Sequence, residues 1–261
     1  MARFMTRAKI LSQVRLNEDT YVMKVLAPDI ATLAKPGQFC MVGPMVRDLY
    51  DPLLNRPLSI YDAESDGALS FLYKVVGRGT SILASKCLGA YVYIVGPLGR
   101  GFGVRKEQPG LLIGGGMGVA PLYFLSKAYA WKQPMAMLMG LPTYEGFEPL
   151  VDDFEKVSQQ LFISTDDGSH GHRGFVTELI HEGISYLGSK PVIYCCGPWP
   201  MMKAVYIKAK EMGVECQVSL EARMACGTGL CLGCAVPHAE QGYLHVCKEG
   251  PVFDAQKVRW Q

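Results

Sequence analysis

The chain has 261 residues, 49% of them hydrophobic and 19% charged, with 26 Lys and Arg against 24 Asp and Glu. That length is more than one core needs and predicts two compact domains plus an appendage. The near-neutral balance excludes the basic stripe of a nucleic-acid binder and the charged run of a solvated tail, which leaves small molecules and protein partners.

The first residues, Met1 to Lys9, lack the apolar run of a secretory leader, so the chain reads as cytoplasmic. Residues 1–103 carry short β-rich runs over 8–16, 21–27, 38–42, 57–62, 69–76 and 91–95, with one amphipathic helix expected over 81–88. Many short strands with turn residues between them predict a closed antiparallel β-barrel or sandwich. Two segments in it carry chemistry. Arg56-Pro57-Leu58-Ser59 sets a permanent cation and a hydroxyl side by side, able to meet a phosphate and a heteroaromatic edge. Tyr73-Lys74-Val75-Val76-Gly77-Arg78-Gly79-Thr80 runs from a strand into a glycine-rich turn before a helix, where free amides accept a pyrophosphate. The structural alternative is a surface ion pair for Arg56 and a helix cap at Thr80.

Residues 104–220 follow a glycine-rich linker, Gly99 to Gly103, and alternate apolar strands (111–113, 135–139, 160–164, 192–195) with helical stretches. This is the pattern of a parallel-sheet α/β domain. The uncharged stretch 108–126 is long enough to tempt a membrane reading, but Gly114, Gly115, Gly116, Gly118 and Pro121 break it into strand, turn and helix. The turn has nucleotide-site geometry, with Pro121 suited to a first helical turn, yet it departs from G-x-G-x-x-G/A. Gly197 and Pro198, after the strand ending at Cys195, are the counterpart loop. Asp166 and Asp167 could offer a carboxylate to a ribose 2′-hydroxyl, favouring NAD, while His170, His172 and Arg173 keep NADP open and a solvated turn is the bland alternative.

In residues 221–261, Cys226, Cys231 and Cys234 have C-x4-C-x2-C spacing and Cys247 follows, the arrangement that wraps a [2Fe-2S] cluster. Gly227, Gly229 and Gly233 suit a loop whose amides point at sulfur. A four-cysteine zinc site is the alternative, although such sites pair two knuckles and only one C-x2-C occurs here. Nine cysteines, an odd number, fit reduced thiols better than disulfides. Of the others, Cys40, Cys87, Cys195 and Cys216 are expected to pack as small apolar groups, with Cys195 or Cys196 able to approach a nicotinamide. No triad or carboxylate pair is evident, so the chemistry belongs to cofactors and no catalytic side chain is expected.

R-P-L-S, G-G-G-x-G-x-A-P and C-G-P-x-P-M, in that order, resemble the ferredoxin reductase type of flavoprotein; with the cysteine tail, nearly the whole chain resembles the electron transfer subunits of B-type dihydroorotate dehydrogenases. The resemblance implies FAD in the barrel, touched by Arg56, Pro57, Leu58 and Ser59 at the flavin and by Tyr73, Lys74, Val75, Gly79 and Thr80 at the ribityl and diphosphate. It implies NAD on the loop from Gly114 to Pro121, and a cluster near the surface facing a partner. That partner would be an FMN-containing subunit that oxidises dihydroorotate, in an α2β2 assembly, feeding electrons through the cluster and FAD to NAD+. The small subunit of an electron-bifurcating NADH-dependent ferredoxin:NADP oxidoreductase or sulfide dehydrogenase shares the layout and is the alternative. A zinc-bearing interaction protein is the alternative outside enzymes.

Overall fold

The computed structural model describes residues 4–44 and 51–260, so the first three residues of the N-terminal stretch lie outside it. Seven antiparallel strands make the first sheet: β1 (Phe4–Arg15), β2 (Thr20–Leu26), β3 (Phe39–Gly43), β4 (Arg56–Ser59), β5 (Asp62–Ala63), β6 (Ala68–Lys74) and β7 (Tyr91–Leu98), in the order β4-β3-β7-β1-β2-β6-β5. Alternate residues Ala8, Ile10, Met23, Val25, Val92 and Ile94 are fully buried, the period-two signature of a sheet with one wet face. The two ends of the ladder are successive parts of one segment. The Ile60 amide bonds Gln38 O at 3.0 Å and the next amide, Tyr61, bonds Ser70 O at 2.8 Å, so residues 56–63 leave β3 for β6 and curl the sheet back on itself.

A four-residue helix, α1 (Pro28–Ala31), closes one end, and α2 (Arg78–Ala84) lies between β6 and β7. The helix expected over 81–88 begins three residues earlier, because Thr80 Oγ1 accepts the Val76 and Gly77 amides at 3.0 and 3.3 Å and fixes the first turn at Gly77. Cys87, expected to pack, is exposed in the turn that follows.

The second sheet has β8 (Gly110–Gly115), β9 (Met135–Leu141), β10 (Gln160–Thr165), β11 (His172–Arg173), β12 (Val192–Cys196) and β13 (Cys216–Ser219), all parallel, in the order β11-β10-β9-β8-β12-β13. Every residue of β8 and β12 is buried, which is why both read as unbroken apolar runs rather than alternating ones. The helices α3 (Ala120–Tyr129) and α4 (Glu148–Val157) cover one face; α5 (Ile180–Leu187) and α6 (Trp199–Met212) cover the other. From the C-terminal segment come a hairpin, β14 (Ala235–Pro237) with β15 (Tyr243–His245), and β16 (Val252–Asp254), which pairs antiparallel with β13 at the sheet's edge. Among the described residues no helix is long and apolar enough to cross a membrane.

Barrel and parallel sheet meet through α3. Tyr61 stacks on Tyr123 with ring centroids 4.3 Å apart, and Lys127 Nζ reaches Asp62 at 2.6 Å, where the carboxylate side chain is only 8% exposed. Lys127→Met is expected to destabilise the chain by about 2 kcal/mol by leaving that buried carboxylate unpaired. Adding Asp62→Asn should recover part of the loss, and urea unfolding of the single and double variants checks both.

Candidate functional site

At the seam between the sheets lies a cavity of ≈ 300 Å³ whose floor is Arg56, Pro57, Leu58 and Ser59 of β4, with Tyr73, Lys74 and Thr80 beside them. Two sequence segments 14 residues apart at their nearest thus converge because β4 and β6 flank the same barrel mouth. The Tyr73 hydroxyl is buried and has no hydrogen-bond partner among the described residues. A buried polar group in that state is costly unless a ligand satisfies it, so the orphan fits a polar, ring-bearing cofactor such as a flavin. Arg56 makes no ion pair among the described residues; it donates to Leu54 O and lies across Gly79, where any Cβ would overlap its guanidinium. Lys74 pairs with Asp19 at 2.9 Å and Arg78 with Asp51 at 2.8 Å, exposed pairs worth little to stability. Thr80 spends its hydroxyl on the helix cap, and Val75 packs against the barrel core rather than lining the cavity.

The opposite wall comes from residues that no motif marks: Leu220, Glu221, Ala222, Met224 and Pro251, together with Phe39. Glu221 is open to the cavity but crowded by protein, and burial pushes its carboxyl pKa up. The only sequence signal for this wall is its nearness to the cysteine loop.

A second cavity, of ≈ 450 Å³, opens at the carboxyl ends of β8, β9, β10 and β12, where ligands of open parallel sheets bind. Gly115, Gly116 and Pro198 line it, with Gly140, Ser164 and Asp166. Gly116 holds φ +53°, and a Cβ there would meet no atom within 4 Å, so its bare face is turned to the cavity. Gly114 and Gly118 lie behind it. A Cβ at Gly114 would press on Val119 and Met137; one at Gly118 would run into the Cys196–Gly197 backbone. Gly197 in turn packs on Gly115 and Met201. Of the two aspartates, Asp166 faces the cavity and Asp167 caps Ser169, accepting its amide at 2.9 Å. His170 stacks on Tyr144, His172 bonds Glu178 at 2.7 Å, and neither these nor Arg173 line the cavity. The Cys195 and Cys196 thiols are buried, and burial pushes both pKa values up; neither reaches either cavity. The glycine turn borders both spaces: Gly115 and Gly116 line the second, Met117 and Ala120 the first.

The cysteine loop folds against β3. Gly227 at φ +67° rests on Met41, and Gly229 at φ +88° rests on Lys248, conformations and contacts a side chain would disturb. The backbone amides point at sulfur: Thr228 and Cys231 donate to Cys226 Sγ at 3.4 and 3.5 Å, Gly229 to Cys247, and the Cys247 amide to Cys234 Sγ at 3.3 Å. Burial pushes the Cys226 thiol up, but those two amides pull it the other way, down to about 5, as thiolate ligation requires. Burial and the neighbouring Cys234 push Cys247 up to about 12. Cys234 and Cys247 sulfurs lie 3.2 Å apart, and among the described residues no group of three or more His, Cys, Asp or Glu converges on one point. Four thiols on one loop and the turn after it, with backbone amides aimed at sulfur, fit a thiolate-held iron-sulfur cluster. Cys231 is exposed between Leu230, 85% exposed, and Leu232, which holds φ +58°.

Cys231→Ala is expected to abolish iron absorption and leave flavin bound, since cluster loop and barrel floor are separate segments; visible spectra of the purified variant decide it. Gly116→Val is expected to weaken nucleotide binding on the order of tenfold or more, through backbone strain and a side chain filling the cavity, as titration with NADH would measure.

A family model described as the iron-sulfur cluster binding domain of dihydroorotate dehydrogenase B matches residues 221–259, and one described as an oxidoreductase NAD-binding domain matches residues 112–206. A protein of Desulforamulus reducens named dihydroorotate dehydrogenase B (NAD(+)), electron transfer subunit, is 40% identical over 97% of this chain and 98% of its own length. The protein of the same name from Caldanaerobacter subterraneus is 36% identical over 98% and 99%. Among solved structures, an NADH-dependent reduced ferredoxin-NADP oxidoreductase is similar with a TM-score of 0.83 at 30% identity, over 97% of this chain and 90% of that one. A ferredoxin NADP+ reductase from Neisseria gonorrhoeae shares the fold, with a TM-score of 0.65 at 17% identity over 80% and 92%. With this identity running the full length of barrel, nucleotide sheet and cysteine tail, the chain belongs to the family of dihydroorotate dehydrogenase B electron transfer subunits.

Proposed function

We propose that the chain is the electron transfer subunit of a dihydroorotate dehydrogenase in pyrimidine biosynthesis, holding FAD and a [2Fe-2S] cluster and using NAD+ as electron acceptor. One observation carries this reading: the turn after β8 borders both cavities while the segment leading into the cysteine loop walls the first. Three sites are therefore contiguous, as electron transfer between them demands. When bound, FAD exchanges single electrons with the cluster and a hydride with nicotinamide.

The chain's own residues bind, orient and exclude water. Residues 1–103 would hold the flavin, with Arg56 supplying a cation, Leu58 an apolar surface, and the Ser59 and Tyr73 hydroxyls hydrogen bonds. Residues 104–220 hold the nicotinamide nucleotide on Gly115, Gly116 and Pro198, with Gly114, Gly118 and Gly197 holding the two loops together. In residues 221–261, Cys226, Cys231, Cys234 and Cys247 would hold the [2Fe-2S] cluster. The exposed edge of that loop meets a catalytic subunit, which carries FMN, in an α2β2 assembly in the cytoplasm, where thiols stay reduced.

The likeness to the NADH-dependent ferredoxin-NADP oxidoreductase supports a second reading, the small subunit of a bifurcating enzyme. Copurification with the FMN-containing subunit separates the two. Dihydroorotate-dependent reduction of NAD+ that needs both chains is the expected result. Oxidation of NADH or NADPH by a coloured protein that never draws electrons from dihydroorotate would put the second reading first.

A further inference from the structure

We infer that Trp260 is a positioning residue for nucleotide binding: through its contact with Trp199 it sets the cavity end of α6 against the segment that follows Cys247. The assignment rests on the reading of the second cavity as the nucleotide site, proposed above.

The start of α6 is part of the cavity wall. Pro198 just before the helix and Pro200, Met201 and Ala204 within it line the cavity. Trp199 and Tyr206, two turns apart and therefore on one side of the helix, do not. No side chain among the described residues caps the N-terminus of α6, so contacts with other segments set its place. Along the helix, Lys208 Nζ donates to Thr177 O at 2.6 Å, and Thr177 is itself a cavity residue. At its start, the Trp260 ring lies 4.9 Å from that of Trp199 and 5.8 Å from that of Tyr206, and so spans both.

Trp260 is itself anchored. Its indole N–H donates to Ala255 O at 2.8 Å, and Val258 before it is buried. The Ala239 and Arg259 amides donate to Lys257 O and Pro237 O at 2.8 and 3.1 Å. Those bonds tie the segment to the β14–β15 hairpin, which lies between Cys234 and Cys247. Pro251, earlier in the same segment, walls the flavin cavity, and β16 pairs with β13. Residues 247–260 thus run from a cluster thiol, past the flavin cavity, to the helix that walls the nucleotide cavity. The ring contact between Trp260 and Trp199 is where that path meets the start of α6.

An aromatic pair of this kind favours one arrangement over its alternatives by up to about tenfold. Without it the start of α6 is released to other positions. The nucleotide then binds only the fraction of molecules in which Pro198, Pro200 and Met201 stand in place, and apparent affinity falls by that fraction. The loss falls on binding rather than on the step that follows it, because neither tryptophan nor Tyr206 lines the flavin or the nucleotide cavity.

The test uses the flavin- and cluster-loaded chain, with NADH oxidation by ferricyanide for kinetics and calorimetric titration with NAD+ for affinity. Trp260→Ala should raise KM for NADH and Kd for NAD+ roughly fivefold, with kcat and the flavin and iron absorption per chain as in the wild type. Trp260→Phe should restore most of the affinity, since a ring again lies on Trp199. Trp199→Leu and Trp260→Leu combined should bind NAD+ no more weakly than the weaker of the two single variants, the mark of one shared contact. Should the alanine variant lose its cofactors, Trp260→Leu against Trp260→Phe makes the same comparison. Unchanged NAD+ affinity in the Trp260 variants, an equal loss in Trp260→Phe, or losses that simply add in the double variant overturns the inference. Gly116→Val separates it from the cavity assignment. If that variant weakens NAD+ binding and the Trp260 variants do not, the nucleotide site stands and this inference falls; if Gly116→Val also leaves NAD+ unmoved, the site assignment falls with it.

Discussion

The contact on which the rest of the structure depends is backbone against backbone. Parallel pairing places Cys196 beside Gly114, so the turns leaving β8 and β12 must pass each other at the sheet's edge, and they do so at Gly118, whose bare Cα rests on the Cys196–Gly197 peptide. No side chain fits there. That approach tips the β8 turn so that Gly115 and Gly116 face the nucleotide cavity while Met117 and Ala120 face the flavin cavity. The two cavities are thereby separated by one turn of chain, so their proximity is built into the covalent path.

The C-terminal segment is held by burial rather than by surface charge. Cys234, Val246 and Cys247 share a core with Phe39, Met41 and Leu98 of the barrel and with Val218 and Phe253 at the β13–β16 edge. The same strand pair that extends the parallel sheet thus pins the cysteine loop against the barrel strand that borders the flavin cavity. Amides at Thr228, Gly229, Cys231 and Cys247 already point at sulfur, and such donors stabilise thiolates and set the potential of what they bind. The outer edge of the loop, with Leu230 and Cys231, is exposed.

Electrostatics divide the labour between the cavities. The flavin cavity has a cation at one end, Arg56, and a crowded carboxyl at the other, Glu221. The nucleotide cavity has one acidic side chain among its lining residues, Asp166, and glycines at 115, 116 and 140 that let backbone approach a ligand closely. The tight Asp62–Lys127 pair and the Tyr61–Tyr123 stack fix the relative setting of these two spaces.

By itself the sequence determined the features whose chemistry is local: R-P-L-S at β4, the glycine turn after β8, the cysteine spacing and the switch from alternating to continuous apolar runs. Covalent connectivity holds such residues within reach of one another in any fold that forms the element, so spacing is enough to read them. Tertiary structure alone decided the rest. Glu221 and Pro251 reach the flavin cavity from far along the chain, and Thr80 starts its helix early by capping Gly77. Asp166 and Asp167 are neighbours of identical chemistry, and only the direction of the strand they leave sends one into the cavity and the other back onto its own turn. Those outcomes depend on contacts between segments distant in sequence, where packing rather than connectivity fixes which groups meet.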